Sequence, residues 1–116
     1  MIRHTLFNAL SPVVAGHCFY EVIPETQRAF PVIVYQFAHI NPNSALEDGD
    51  LDDFSVQIDL YSPNPDDIFR LRKPVMQAVE TACTFAERVS DWSDYESDTR
   101  LHRRIFHYTI AYEEAS

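Results

Sequence analysis

The chain has 116 residues, a length that fits one domain and buries about two-thirds of its unfolded surface in a single core. Apolar residues make up 46% and charged residues 23%, which excludes a disordered chain. The net charge of −9 argues against a nucleic-acid groove or an anionic membrane surface, since both need surplus Lys and Arg.

Residues 2–10 carry Ile2, Leu6, Phe7 and Leu10 at helical spacing, and Ser11-Pro12 should end that short helix. Gly16 allows a turn into a strand over 17–23, closed by Pro24. The run 31–40 is apolar on both faces and rich in β-branched and aromatic residues, as expected of a central strand. Residues 41–52 form an acidic connection. Phe54, Val56, Ile58 and Leu60 then alternate with polar residues over 53–61. Together these predict a hairpin with an extended, negatively charged tip.

Asn64-Pro65-Asp66-Asp67 has the chemistry of a helix start: a capping side chain, a proline with no N–H to lose, and acids at the positive dipole end. That helix is expected to run to about residue 88, with Ile68, Leu71, Val75, Val79, Ala82 and Ala86 as its buried stripe. Pro74 inside it should bend it or begin a second segment. Residues 88–99 read either way, with a short edge strand around Trp92 before an acidic turn. Residues 100–112 predict a last strand with Phe106, Tyr108, Ile110 and Tyr112 on one face. The whole is a single domain over 1–116 of α+β class, in the order αβββαββ. Four to five antiparallel strands carry the short and the long helix on one face.

Chemistry is hard to place on this chain. Asp48, Asp50 and Asp52 have the spacing of a calcium loop and Asp59 its twelfth position, but the sixth, which needs Gly, holds Asp53. No HxH, HxxxH or HExxH pattern occurs among His4, His17, His39, His102 and His107, and only a cross-strand approach of His39 to His107 stays open. Cys18 and Cys83 lie in apolar segments and read as buried free thiols in a reducing compartment. With two glycines there is no phosphate-cradling loop, and no serine sits in a GxSxG context. No cofactor or metal is expected, nor is an enzyme. The N-terminus has no apolar leader, and no run suits a membrane helix, so a cytosolic protein is expected.

Two local features point outward. The acidic segment with Glu47, Asp48, Asp50, Asp52 and Asp53 is a candidate lumen or subunit-interface loop. Arg100, Arg103 and Arg104 are too few for a nucleic-acid groove on an acidic domain, and suit an acidic patch on a neighbouring subunit. Tyr35, Phe37 and Tyr61 would show apolar area on a strand face opposite the helices unless the N-terminal helix or residues 88–99 cover them.

The segments Leu10-Ser11-Pro12-Val13-Val14-Ala15-Gly16, His17-Cys18-Phe19-Tyr20, Phe30-Pro31-Val32-Ile33-Val34-Tyr35-Gln36 and Val56-Gln57-Ile58-Asp59-Leu60-Tyr61, with Asp48-Gly49 and a long helix between strands, resemble the phage tail completion family. That family includes the tail-to-head joining proteins of long-tailed phages and is similar in fold to the lambda tail terminator. The resemblance implies a subunit of a ring, typically a hexamer, on the tail tube. Its partners would be itself, the tail tube protein and the head connector. DNA would pass through the lumen without specific binding, helped by an acidic lining. It further implies a virion protein, made in the cytoplasm of the bacterial host, with no catalytic residue to carry over. A head–tail connector or neck protein is the alternative within that class. A ferredoxin-like ligand-binding domain would instead need the order βαββαβ, and a dimeric α/β-barrel enzyme would need polar groups converging in a cavity.

Overall fold

The computed structural model describes residues 1–42 and 51–113. Helix α1 (Ile2–Leu10) opens the chain and passes into a 3₁₀ turn at Ser11–Val14, where Pro12 has no N–H to extend the α-helix. Gly16 at φ +90 then turns the chain, its N–H donating to Ser11 O at 2.9 Å. Ile2, Leu6 and Leu10 of α1 are buried, whereas Phe7, expected beside them, is 41% exposed.

Strand β1 (Cys18–Tyr20) is shorter than the predicted 17–23 because Glu21 adopts φ +70 and breaks the extension. β2 (Val32–Pro42) and β3 (Leu51–Ser62) form the expected hairpin, bulged between Phe37 and His39. Both strands run further into the acidic connection than expected, so Asp52 pairs with Pro42, and Asp53 with Asn41. Helix α2 (Pro65–Ala82) begins on the predicted cap, with Asn64 Oδ1 accepting from the Asp66 N–H at 3.0 Å. Pro74 lies within this one helix and starts no second segment.

α2 stops at Ala82 and not near 88. Cys83 is extended (φ −121, ψ 108), and Ala86 already belongs to a strand. The ambiguous segment is a full edge strand, β4 (Ala86–Glu96), hairpinned to β5 (Leu101–Glu113). Its half-polar pattern follows from being an edge: a single strand flanks it, so its side chains need little burial.

The sheet order is β1-β2-β3-β5-β4. The β2–β3, β3–β5 and β5–β4 pairs are antiparallel, as expected, while β1 runs parallel to β2 and makes the sheet mixed. Residues 21–31 allow that parallel crossover, since they carry the chain back before β2 begins, where a tight hairpin would force an antiparallel pair. Both helices cover one face. Their Leu6, Leu10, Leu71, Val75 and Val79 pack with Ile33, Tyr35, Val56, Ile58, Phe106 and Tyr108 in the main core. Tyr35 and Phe37 belong to this covered face, and the Tyr35 hydroxyl donates to Arg3 O of α1 at 3.1 Å. The N-terminal helix is thus what hides them. Tyr61 alone of the three is on the opposite face, under the Arg103 guanidinium (5.6 Å to the ring centroid).

Candidate functional site

Strand register separates the two groups of charge singled out in the sequence. Asp52 and Asp53 stand at one end of β3, opposite Tyr112 and Ala111 of β5, and Glu113 is beside them on Leu51. Ser62 at the other end pairs with His102, next to Arg103 and Arg104. The run of β3 from Asp53 to Ser62 puts roughly 30 Å between the two ends at the usual strand rise. Glu47, Asp48 and Asp50 lie outside the described residues, but the segment that holds them joins β2 to β3 at the Asp53 end. No Lys or Arg occurs between Arg28 and Arg70. The acidic end therefore carries no cation of its own strands or connection.

The opposite end gathers Arg70, Arg72, Lys73, Arg100, Arg103 and Arg104, six of the nine Lys and Arg of the chain. Arg103 meets Asp59 Oδ2 at 3.2 Å and Glu96 Oε2 at 3.9 Å. Arg104 and Arg72 share one carboxylate, that of Asp91, with Arg72 Nε donating to Oδ2 at 2.8 Å and Arg104 Nε donating to Oδ1. Arg104 also donates to Ser93 Oγ at 2.7 Å. Arg100 stands exposed in the β4–β5 turn at φ +59, its N–H donating to Glu96 O at 2.8 Å. The three arginines expected to face a neighbour thus divide: Arg103 and Arg104 tie β5 to β3 and β4, and Arg100 projects at the turn.

Electrostatics follow from this geometry. Burial pushes the Asp91 carboxyl up, but the Arg104 and Arg72 hydrogen bonds and charges outweigh it and hold the group below its ordinary value. Asp59 goes the other way. Its burial outweighs what Arg103 and Gln57 give back, so its carboxyl is raised. Two guanidiniums serve Asp91 and one serves Asp59, and Asp59 is also the more strongly desolvated and feels the Glu96 charge.

Between the first turns of α2 and the β4–β5 hairpin lies a groove of about 580 Å³. Ile68 and Phe69 make its apolar wall, and Lys73, Arg104, His102 and Ser93 are among its polar lining. Phe69 is 84% exposed, an unusual state for a phenylalanine on a structured helix. The sequence reading missed Arg72, Asp91 and this groove. Arg72 sat in a helix read only for its apolar stripe, and Asp91 in a segment whose pairing was undecided.

The remaining candidates do not converge on chemistry. His39 pairs with Ser55, and His107 with Gln57, so β3 lies between the two histidines. His102 stacks on Tyr95 with centroids 4.8 Å apart. Among the described residues no group of three His, Cys, Asp or Glu gathers as a metal site. Cys18 and Cys83 are free and buried, and burial pushes the Cys18 thiol up to about 12. Neither is a thiolate at neutral pH. No helix among the described residues is long and apolar enough to cross a membrane.

No curated protein matches the chain. In fold it is similar to a chain of the virion of a native gene transfer agent particle, with a TM-score of 0.60 at 10% sequence identity, covering 97% of this chain and 95% of the other. The family model for tail completion protein gp17 matches residues 4–113. That match takes in all but the first two residues of α1, all of α2, the five strands and both charged ends, and the chain belongs to the tail completion protein gp17 family.

Proposed function

We propose that this chain is a ring-forming structural subunit at the head-proximal end of a phage-type tail tube. There it ends the tube and presents a surface to the head connector. The observation that carries this reading is the family match over 4–113. The fold shared with a chain of a gene transfer agent virion supports it. Each copy is a neighbour's partner, and the tail tube protein and head connector are the others. The protein acts without catalysis or cofactor, in the virion, after assembly in the host cytoplasm. DNA passes through the lumen, and a net charge of −9 keeps it from adhering.

The acidic residues Glu47, Asp48, Asp50, Asp52 and Asp53 face the lumen or a neighbouring subunit, and Arg100 lies at a subunit boundary. Light scattering coupled to size exclusion, over a concentration series, followed by negative-stain imaging with tail tubes, tests the reading. A closed ring in solution, or rings on tube ends, is expected. A chain that stays monomeric or dimeric and never binds tube ends overturns it.

A further inference from the structure

We propose that the groove between α2 and the β4–β5 hairpin is the socket for the acidic β2–β3 segment, residues 43–53, of a second copy of this chain; this rests on the ring reading and deepens it.

The groove has the composition such an occupant needs. Ile68 and Phe69 supply an apolar wall, and the segment Asn43-Ser44-Ala45-Leu46-Glu47-Asp48-Gly49-Asp50-Leu51-Asp52-Asp53 carries Leu46 among five acids. Phe69, 84% exposed at the mouth, is an aromatic anchor of the kind that concentrates binding energy at interfaces. Arg72 and Arg104 share the single carboxylate of Asp91, which leaves one positive charge in surplus. Lys73 is exposed and makes no ion pair among the described residues. Among the described residues, Arg70 is held only by Asp67 on its own helix, at 3.0 Å and 62% exposure. Among the described residues, Asp94 is the one acid in the lining. Arg103, also in the lining, is already met by Asp59 and Glu96, so the cations open to an acidic partner are Lys73 and the share of Arg72 and Arg104 that Asp91 leaves over.

The occupant must come from another copy. The segment leaves the sheet at Pro42 and re-enters at Leu51, at the end of β3 opposite the groove. The nine links from Pro42 to Leu51, running out and back, reach at most roughly 16 Å from the strand ends, against roughly 30 Å to be crossed. A socket at one end and a plug at the other make a heterologous, head-to-tail contact. Such contacts close into rings when the rotation per subunit allows.

Charge exchange tests the proposal. Arg70→Glu/Lys73→Glu reverses the socket at two exposed positions, and Asp48→Lys/Asp50→Lys reverses the plug. Each variant alone should lose ring formation, read by light scattering and by capped tube ends in negative stain, at least tenfold. An equimolar mixture should restore alternating rings, because opposite charges then meet at every joint. In parallel, a synthetic peptide of residues 41–53 is titrated into the Asp48→Lys/Asp50→Lys chain, whose socket is open. Saturable binding that weakens with added salt is expected, and none by the peptide carrying the same two lysines. Rings that persist in either variant, failure of the mixture to restore them, or equal binding of both peptides overturns the socket while leaving the ring reading intact. A wild-type chain that never forms or caps a ring, yet whose open socket binds the acidic peptide alone, overturns the ring reading and keeps the socket.

Discussion

Asp91→Asn is the substitution whose consequence the structure defines best. The carboxylate is 9% exposed and holds α2 through Arg72 and β5 through Arg104, so one side chain staples the edge strand to a helix and to its neighbour. The amide keeps the shape and removes the charge. Two guanidiniums, 33% and 21% exposed, then face a neutral group. Breaking a fully buried ion pair from one side costs about 3–5 kcal/mol. The water that still reaches both arginines lowers that to about 2 kcal/mol. For a chain of this length that is a fall in Tm of about 8 °C.

The sign of the pH dependence is fixed by the direction of the shift. The folded carboxyl lies below its ordinary value, so its stabilisation is complete above the unfolded pKa and is lost as pH falls through the folded one. Urea titrations of wild type and variant should therefore differ by a constant amount from neutral pH down to about 4 and converge below it. A difference under about 0.5 kcal/mol at pH 7, the value of an exposed pair, refutes the reasoning. So does a gap that closes already near pH 6.

Two other substitutions or treatments read the covered side of the sheet. Tyr108, 1% exposed, donates its hydroxyl to Glu80 Oε2 at 2.7 Å, so Tyr108→Phe should cost about 1.5 kcal/mol in urea unfolding, and an unchanged midpoint would show that bond to be idle. Cys18 and Cys83 are 4% and 3% exposed with thiols raised by burial, so a thiol reagent at neutral pH should label the folded chain only as it unfolds; rapid labelling of both would contradict the packing around them.

How much was legible follows the strength of each local signal. The period-two pattern of Phe54, Val56, Ile58 and Leu60 placed β3, because alternation has one meaning when one face is buried. Asn64 and Pro65 placed the start of α2 to the residue, because a cap satisfies backbone donors that no other arrangement there would satisfy. The end of α2 was less legible. Thr84-Phe85-Ala86 continues an apolar run that suits either a helix or a strand, and only pairing with Ile110 and Thr109 makes Ala86 and Glu87 strand residues.

The candidate surface divides in the same way. The acidic segment and the arginine run were visible as charge in the sequence. That they lie at opposite ends of the sheet was not, since it depends on β5 returning along β3 in a set register. The parallel direction of β1, the Asp91 staple and the groove beside Phe69 likewise belong to tertiary structure alone. Caps, turns and alternation are contacts within a few residues and are written in the order of the chain. The staple joins residues 72, 91 and 104, and the groove joins a helix to a hairpin beyond it, so each exists only once burial of the shared core has brought those distant pieces together.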